Sequence, residues 1–541
     1  MDHRIPPPIG GSPALSAVVA ALPLAVLLVL LGGFRVRSDL AAAGSLLAAL
    51  AIAVLAFRLP VVTAVSGTAQ GAAFGVFPIV WIMVNALWVN RLLAASGLLS
   101  VVRDTFAGVS PDHRVQALVL AFCFGSVLEA LAGFGAPVVV IAAILLALGL
   151  TPIRAATVAM FADAAGTAFG SMGNPIVALS RAANLPAAEL GRMVGRQAAI
   201  VAVFMPFVIL LVLDGRRGLR ELWPVGLVAG LGFATGQVVT SNFIAFPLSD
   251  LIGALLATLA AAVLLWRWSP AEPATPPGSG PGPGARAVEA PTRHPLATRV
   301  RAFVPYMVLV VLLAVVSVHG PAARFATGLG VRFSWPGVPV SGVNGTPPGL
   351  HVFRFDWLSA TGTVLLVTGL LSLPVLRLPV RTALREYGAA AARTRRAAVT
   401  VVLVLGLAYL MNYSGQAVAI GAWLAGAGGA FVLLSPVLGW LGVAATGSDT
   451  SANALFGAVQ VAAAGRIGVS PVLLAATNSE AGVLGKLVSP QNLAMVAAVV
   501  GMAGREGTLF RRTFPWSAGC LAGFTVLVYL MAYGPLSWMV P

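Results

Sequence analysis

Four polar stretches interrupt an otherwise apolar sequence, and they hold the residues best suited to chemistry. They are residues 124–137 (FGSVLEALAGFGAP), 161–175 (FADAAGTAFGSMGNP), 446–460 (TGSDTSANALFGAVQ) and 477–492 (TNSEAGVLGKLVSPQN). Gly and Pro in such stretches break a membrane helix, and nearby Ser and Thr side chains re-satisfy the freed backbone groups. The amides at the start of a helix segment attract anions. The stretches therefore predict a site for a small anion such as a carboxylate, although small residues alone can also serve close helix packing.

Lys486 is the only lysine in the chain, and it lies in the fourth stretch. Three roles remain open for it: a counter-charge for a substrate carboxylate, a partner of Glu480, or a side chain that extends to the membrane interface. Ionisable residues inside membrane spans are costly and are functional candidates by default. The acids in the four stretches are therefore either proton carriers or members of fixed pairs: Glu129, Asp163, Asp449 and Glu480.

The composition places these stretches inside a membrane protein. The 541-residue chain is 59% hydrophobic and only 9% charged, whereas about 25% of the residues of a soluble domain are charged. Continuous apolar runs of about 20 residues are typical of membrane-spanning helices. The net charge of +16 fits basic cytoplasmic loops better than nucleic-acid binding. Cys123 and Cys520 both lie in apolar sequence and indicate neither a disulfide framework nor a metal site.

The predicted fold is an all-α polytopic membrane protein in two halves, with broken or re-entrant helices at 115–150 and 437–464. The predicted domains are an N-terminal membrane half (1–268), a Pro/Gly-rich cytoplasmic linker (269–300) and a C-terminal membrane half (301–541). The spans are predicted near 14–34, 40–57, 72–95, 115–132, 136–150, 155–179, 193–213, 222–240, 243–267, 303–319, 357–376, 397–412, 416–435, 437–464, 472–498 and 516–537.

Basic loops and a short repeat indicate the orientation of the two halves. Arginines cluster at 214–221, in the linker and at 381–396, which predicts that these segments are cytoplasmic and that both termini lie outside. LGLTPI (148–153) resembles IGVSPV (467–472), and a Gly-x4-Pro pair follows each of them. On this topology the two segments have opposite orientations, as in inverted-repeat transporters that bind substrate near the midplane.

At the four stretches the sequence resembles the lactate permease family of proton-coupled carriers. Matching pieces include FGSVLEALAGFGAPV, AFGSMGNPI, MVGRQ, SNFI, FDWLSATGT, NYSG, LGWLGVAATGSDTSANALF and GVLGKLVSPQNLA, in the same order across nearly the whole chain. The resemblance implies uptake of L-lactate, glycolate or a related 2-hydroxymonocarboxylate together with a proton. It also implies a bacterial inner-membrane location. Seven candidate site residues match the family pattern: Ser448, Asp449, Thr450, Asn453, Lys486, Gln491 and Glu129.

Two departures from the family pattern each add a carboxyl group. Asp163-Ala-Ala-Gly stands where the family typically has Asn-Thr-Ala-Pro, and Asn478-Ser479-Glu480-Ala481 stands where it has Asn-Thr-Thr-Gly. The proton-coupling candidates are Glu129, Asp163 and Glu480. The predicted substrate-binding residues are Ser448, Asp449, Thr450, Asn453, Asn478, Ser479, Lys486 and Gln491. A carrier of a different organic anion, or one with different ion coupling, is the alternative that the extra acids leave open.

Other functional classes fit the motifs less well. No Gly-x-Gly-Asp, Gly-x-Ser-x-Gly or phosphate-binding loop occurs at the expected positions, which disfavours an intramembrane hydrolase and an ATP-driven pump. The apparent repeat favours alternating access over a channel. We predict no enzyme activity, cofactor, metal or nucleic-acid partner. The predicted partners are the carboxylate, protons and the lipid bilayer, with a homo-oligomer left open.

Overall fold

The protein is a bundle of long apolar helices, as the composition predicts. The computed structural model describes residues 9–34, 36–132, 135–270, 292–317, 321–338 and 351–541. Within them, 10 helical segments are long and apolar enough to cross a membrane. Large apolar side chains such as Leu55 and Trp266 are exposed on the outside of the bundle, as a lipid-facing surface requires. The predicted all-α polytopic fold is confirmed.

The first five helices include one break that the sequence analysis missed. They are α1 (Pro13–Leu28), α2 (Ser38–Leu55), α3 (Val61–Phe74), α4 (Trp81–Ala95) and α5 (Leu98–Ala107). The predicted single span 72–95 begins in α3 and ends in α4, because the chain leaves the helical conformation at Phe77 (φ −130°, ψ 121°). Pro78 follows this residue, and a proline disfavours the helical conformation of the residue before it.

The next helices form a hairpin and then a broken helix. They are α6 (His113–Leu118), α7 (Gly125–Ala132), α8 (Ala136–Ala147), α9 (Pro152–Ala164) and α10 (Gly170–Ala183). α7 and α8 run antiparallel, since Gly125 packs against Ile141. The predicted span 155–179 is interrupted between α9 and α10, and positive φ angles follow at Ser171, Met172 and Gly173. These two features fit the broken helices predicted from the Gly-rich stretches.

A long helical hairpin lies beside the broken helix. α11 (Ala187–Val239) turns back at Asp214 and Gly215, and its arms pack closely where Gly230 meets Val203. These arms correspond to the predicted spans 193–213 and 222–240. α12 (Ser249–Arg267) packs against the second arm. Buried Arg114 ties the turn to α6, with its guanidinium 3.0 Å from Asp112 and 2.8 Å from both Asp214 and Glu221.

The middle of the chain contains two strands that the sequence analysis did not predict. The helices here are α13 (Leu296–Ser317), α14 (Pro321–Gly328), α15 (Thr361–Leu376), α16 (Val380–Tyr413) and α17 (Gln416–Leu424). Between α14 and α15, β1 (Val331–Ser334) pairs antiparallel with β2 (Val352–Phe355), and Val331 lies opposite Phe355. Strands of four residues give a weak alternation signal. Most of the predicted linker, residues 271–291, lies outside the described residues, and the division into two halves stays a prediction.

The last helices repeat the hairpin and the broken helix. They are α18 (Phe431–Thr446), α19 (Asp449–Ile467), α20 (Pro471–Lys486), α21 (Pro490–Val499) and α22 (Glu506–Tyr533). The predicted span 437–464 runs from α18 into α19, and the chain turns at Gly447 and Ser448. The predicted span 472–498 likewise covers α20 and α21, with a break at 487–489. The interruption in 437–464 was predicted as a broken or re-entrant helix. The break in 472–498 falls in the fourth polar stretch, where Gly and Pro were expected to break the helix.

Four helix ends meet at one level of the bundle. α10 and α19 run side by side in the same direction, since Asn453 contacts Pro175 and Gly457 packs against Leu179. Both helices begin at this level, where α20 ends and α21 begins shortly after. The second, third and fourth polar stretches therefore meet at this level. The first stretch reaches the same place through Glu129 on α7, which contacts Lys486.

Candidate functional site

Lys486, the last residue of α20, is the centre of the site. Its ammonium Nζ lies 2.5 Å from Asp163 Oδ2 on α9 and 3.3 Å from Glu129 Oε1 on α7. It also donates a hydrogen bond to Thr167 Oγ1 at 3.0 Å. The lysine side chain is 8% exposed and both carboxylates are 3% exposed. One cation therefore faces two acids in a buried place.

The two acids keep free acceptor capacity. Neither Glu129 Oε2 nor Asp163 Oδ1 has a hydrogen-bond partner among the described residues. Thr167 bridges towards Asp163, donating to its backbone carbonyl oxygen at 2.8 Å. Gly170 on α10 lies close to Glu129, because a Cβ at this position would lie 2.6 Å from Glu129 Oε1 and would displace the carboxylate. The arrangement suits a carboxyl group that gains and loses a proton beside a fixed cation.

Lys486 does not pair with Glu480, which was one of its three open roles. Residues six apart on an α-helix point to different faces, since a turn takes 3.6 residues. Glu480 is buried, and its Oε2 has no hydrogen-bond partner among the described residues. Lys486 forms its ion pair with Asp163 instead. The interface-seeking role for Lys486 does not fit its burial.

Asp449 belongs to a separate network of hydrogen bonds behind the lysine. Ser479 Oγ donates to Asp449 Oδ2 at 2.8 Å, and Asn453 Nδ2 donates to Ser479 Oγ at 2.9 Å. Asn478 Nδ2 donates to Asn453 Oδ1 at 2.9 Å, and Gln460 extends the chain to Asn478. These side chains come from α19 and α20, so the network fixes the α18–α19 hairpin against the broken helix.

A cavity of about 100 Å³ opens between Lys486 and the hairpin turn. It is large enough for a few non-hydrogen atoms of a small molecule together with water. The polar side chains that line it come from all four stretches: Glu129, Thr167, Ser171, Ser448, Asp449, Thr450, Lys486 and Gln491. The first turn of α19 and that of α21 both face this space. Helix N-termini offer amide donors to an anion.

The structure thus sorts the predicted site residues into three groups. Ser448, Asp449, Thr450, Gln491 and Glu129 line the cavity together with Lys486. Asn453, Asn478 and Ser479 lie behind it in the network around Asp449. In the third group, Asp163 pairs with Lys486, and Glu480 is buried with its Oε2 unpartnered among the described residues.

Sequence reasoning missed Asp250, a buried acid near the site. It lies in the first turn of α12, where Gln237 Nε2 donates to its Oδ1 at 3.1 Å. Its Oδ2 has no hydrogen-bond partner among the described residues, and it faces Gly166 in the break between α9 and α10. The available signal was one acid at the start of an apolar run. That signal is weak, because an acid in the first turn of a helix is also the ordinary partner of the helix dipole.

No cluster suited to a metal ion occurs among the described residues. Groups of three or more His, Cys, Asp or Glu side chains that could hold a metal are absent there. The acids at the site face a lysine and amide side chains instead. These side chains can form ion pairs and hydrogen bonds and can exchange protons.

Comparisons with known proteins place the chain among membrane carriers. The protein-family model for L-lactate permease matches residues 16–533. An L-lactate permease of Salmonella typhimurium is 38% identical over 541 residues, with 97% of each chain covered. A glycolate permease of Escherichia coli is 36% identical with 97% of each chain covered. An L-lactate permease of Bacillus subtilis is 36% identical with 99% of each covered.

Two solved transporter structures also match the chain, at low structural similarity. The YdaH transporter of Alcanivorax borkumensis has a TM-score of 0.45 and 17% identity, with 86% of each chain covered. MtrF of Neisseria gonorrhoeae has a TM-score of 0.47 and 14% identity, with 87% of this chain and 84% of that chain covered. The relatives named above are permeases, so the prediction of a multi-pass transporter of the bacterial inner membrane rather than an enzyme is confirmed.

Proposed function

Because this chain belongs to the L-lactate permease family, we propose that it is a secondary active transporter for proton symport of L-lactate or a related 2-hydroxymonocarboxylate such as glycolate. The observation that carries the proposal is the buried group of Lys486, Asp163 and Glu129 beside the cavity. Relatives with nearly full coverage are named for L-lactate and glycolate, and both acids carry a hydroxyl group next to the carboxylate.

The charge balance of this group supports coupling to a cation. Lys486 offsets one negative charge, while Glu129 and Asp163 together supply two when both are ionised. A substrate carboxylate in the cavity would add another negative charge to a buried site, and buried net charge is costly. A proton that binds to one carboxyl group together with the substrate returns the net charge of the group to its value before binding. On this proposal Glu129, which lines the cavity, takes that proton, and Asp163 holds the lysine in place.

The cavity also offers suitable groups for the substrate itself. The ammonium of Lys486 attracts the carboxylate, and the first turns of α19 and α21 contribute amide donors and dipoles. Ser448, Thr450 and Gln491 line the same space and can bond a 2-hydroxyl group. Lactate and glycolate differ only in a methyl group or a hydrogen at the 2-carbon, and these contacts do not involve that substituent. Relatives are named for each of the two acids.

The arrangement of broken helices supports alternating access. We propose that α6–α10 and α18–α21 are inverted repeats, because each consists of a hairpin followed by a helix that breaks at the site. Movement of these two units against the remaining helices would expose the cavity to one side and then to the other.

Uptake of radiolabelled L-lactate into proteoliposomes tests this function. With an inward proton gradient, the wild type is expected to accumulate L-lactate, and unlabelled glycolate is expected to compete. Lys486→Ala is expected to abolish accumulation, whereas Arg217→Ala, a change at an exposed ion pair, is expected to retain it. A folded wild type that takes up no 2-hydroxymonocarboxylate would refute the proposal.

A second candidate is transport of a different organic anion, or coupling to another ion. Glu480 supports it, because this acid departs from the family pattern and its Oε2 has no partner among the described residues. Comparing uptake of several acids by the wild type, Asp163→Asn and Glu480→Thr distinguishes the two. Unchanged substrate preference and unchanged ion dependence in both variants would exclude this candidate.

A further inference from the structure

A second, larger cavity lies about one helix length from Lys486. Its volume is about 370 Å³. It is lined by the end of α10, the start of α11, β2 and side chains of α3 and α16, among them Phe74 and Tyr409. α10 begins beside Lys486 and ends beside this cavity. Its regular part, residues 174–183, spans roughly 15 Å at about 1.5 Å per residue.

Arg181 on α10 is one of the charged side chains that line this cavity. Its guanidinium carbon lies 4.6 Å from the centre of the Phe74 ring, a cation–π arrangement that leaves the hydrogen-bond donors at its edge available. Among the described residues, no carboxylate lies within ion-pairing distance of it. The segment between β1 and β2 that lies outside the described residues, 339–350, contains no Asp or Glu in its sequence. Arg181 is therefore available to an anion from solution.

Other charges in the cavity are arranged around Arg181 without cancelling it. Arg354 on β2 and Asp356 just after β2 both line the cavity and face the guanidinium. Asp356 Oδ1 is buried and lies against Gly330, where a Cβ added to the glycine would be 2.3 Å from this oxygen. Two arginines and one partly turned-away carboxylate give the cavity a net positive charge.

An arginine in the last turn of a helix has an ordinary explanation, since it offsets the helix dipole. That explanation accounts for Arg181 alone. It does not account for a cavity of this size at the same place, or for a second arginine supplied by an element distant in sequence. Positive charge focused in a cavity raises the local concentration and the association rate of small anions by about 10- to 1,000-fold.

We propose that this cavity is an outer vestibule that collects small carboxylate anions through Arg181 and Arg354 before they reach the Lys486 site. The assignment deepens the proposed function and rests on it for the identity of the anion. The vestibule lies at the end of the bundle opposite the basic segments 214–221 and 381–396, which the sequence predicts to be cytoplasmic. It therefore faces the outside on that topology.

Charge-selective labelling of one introduced thiol tests the vestibule without relying on transport. Ala187 lines the cavity, and Ala187→Cys in a Cys520→Ser background places a thiol there. Anionic and cationic methanethiosulfonate reagents that do not cross membranes are compared on intact cells. The control is Ala188→Cys, because Ala188 is adjacent and exposed but does not line the cavity. The anionic reagent is expected to react faster with Ala187→Cys, and the ratio of the anionic to the cationic rate is expected to be about tenfold higher than for Ala188→Cys.

The arginines are then changed in the labelled background. Arg181→Gln is expected to remove most of the anionic preference, and Arg181→Lys to retain part of it. L-Lactate at saturating concentration is expected to slow labelling of the Ala187→Cys variant. Equal rates for both reagents, or a preference that survives Arg181→Gln together with Arg354→Gln, would overturn the proposal.

Transport kinetics then distinguish this proposal from the proposed function. Arg181→Gln is expected to raise the apparent KM for uptake from outside several-fold and to leave the final accumulation level unchanged. The labelling could be charge-selective while L-lactate gives no protection and the wild type transports no lactate. That result would refute the proposed function and the assignment of lactate as the anion, but it would leave an anion-collecting cavity. Normal lactate uptake with charge-blind labelling would refute the vestibule alone.

Discussion

At the scale of single residues, the site consists of one buried cation and an excess of acids. Lys486 contacts Asp163 and Glu129, while Asp449 is held by Ser479 and Asn453 in a separate network. The first group can respond to a proton and an anion together. In the second group, the neutral side chains of Ser479 and Asn453 donate to one oxygen of Asp449. This network fixes the hairpin turn beside the cavity.

Neutralising Lys486 is expected to stop transport and to weaken the fold. Removing one partner of a buried ion pair costs about 3–5 kcal/mol because the other charge is left uncompensated. Lys486→Met is therefore expected to lower both the melting temperature in detergent and the uptake of L-lactate, the latter by about 100-fold or more. Melting curves and initial uptake rates measure the two effects.

The double variant Lys486→Met with Asp163→Asn separates these two effects. It removes both partners of the 2.5 Å pair, so the melting temperature is expected to recover towards that of the wild type while uptake stays absent. Recovery of uptake in the double variant would show that Lys486 only balances Asp163 and takes no part in binding the anion.

The sequence is informative at this scale where residue type is unusual. A single lysine inside apolar sequence and acids among glycines are enough to single out Lys486, Glu129 and Asp163 by residue type alone. Asp250 was missed because one acid at the start of a helix is common. The pairing of Lys486 with Asp163 rather than Glu480 depends on how α9 approaches α20, which no local pattern encodes.

At the scale of elements, the site depends on turns and breaks that place helix ends together. Gly447 has a positive φ of 71° between α18 and α19. A Cβ at this position would lie 2.8 Å from Gln491 Oε1 and 3.0 Å from Ser489 Oγ. Glycine at this position therefore lets the turn approach the break between α20 and α21 without displacing the Gln491 and Ser489 side chains.

Gly447→Ala is expected to reduce L-lactate uptake at least tenfold, because the turn must move away from Gln491. Gly468→Ala is the matched control: Gly468 has nearly the same φ of 72°, but nothing lies within 4 Å of its Cβ position. The control is expected to lose some stability through backbone strain and to keep uptake near the wild-type level. Equal loss of uptake in both variants would attribute the effect to strain alone.

The ion cluster around Arg114 fixes the turn of α11 against α6. Arg114 is 2% exposed and contacts Asp112, Asp214 and Glu221. Arg114→Gln is expected to cost stability near the lower end of about 3–5 kcal/mol, since Asp214 and Glu221 are 35% and 27% exposed. Thermal unfolding in detergent measures the change.

Arg217→Gln is the control for the Arg114 prediction. Arg217 is 56% exposed and pairs with Glu221 four residues along the helix, and such pairs contribute about 0.3–0.5 kcal/mol. Its melting temperature is expected to stay within experimental error of the wild type. A similar loss for both variants would contradict the assignment of Arg114 as the buried anchor.

Periodicity and composition located the apolar part of each membrane helix, because a membrane helix needs a long apolar run. They missed the basic first turns of two helices: α16 and α22 begin at Val380 and Glu506, before the predicted starts at 397 and 516. They also indicated where helices would be interrupted, since Gly, Pro and small polar residues cluster at those places. The break at Phe77 and the strands β1 and β2 were not predicted. One proline inside an apolar run gives a weak signal, and so do strands of four residues.

At the scale of the whole molecule, two hairpins and two broken helices bring distant parts of the sequence to one cavity. Glu129 and Lys486 are separated by 357 positions in the chain and lie 3.3 Å apart. A contact of this kind depends on how distant helices pack against one another, which no local sequence pattern encodes. The inverted repeat remains a prediction whose consequence is that both units move in alternating access.

The central claim is that carboxylate and proton move together through the Lys486 site. The most direct measurement follows internal pH in proteoliposomes that contain a pH-sensitive dye, while external L-lactate is added and its uptake is counted in the same samples. The wild type is expected to acidify the interior in step with lactate uptake, above the rate in protein-free liposomes, and Lys486→Met is expected to do neither. Lactate accumulation without acidification, or accumulation that requires sodium instead of protons, would contradict the account.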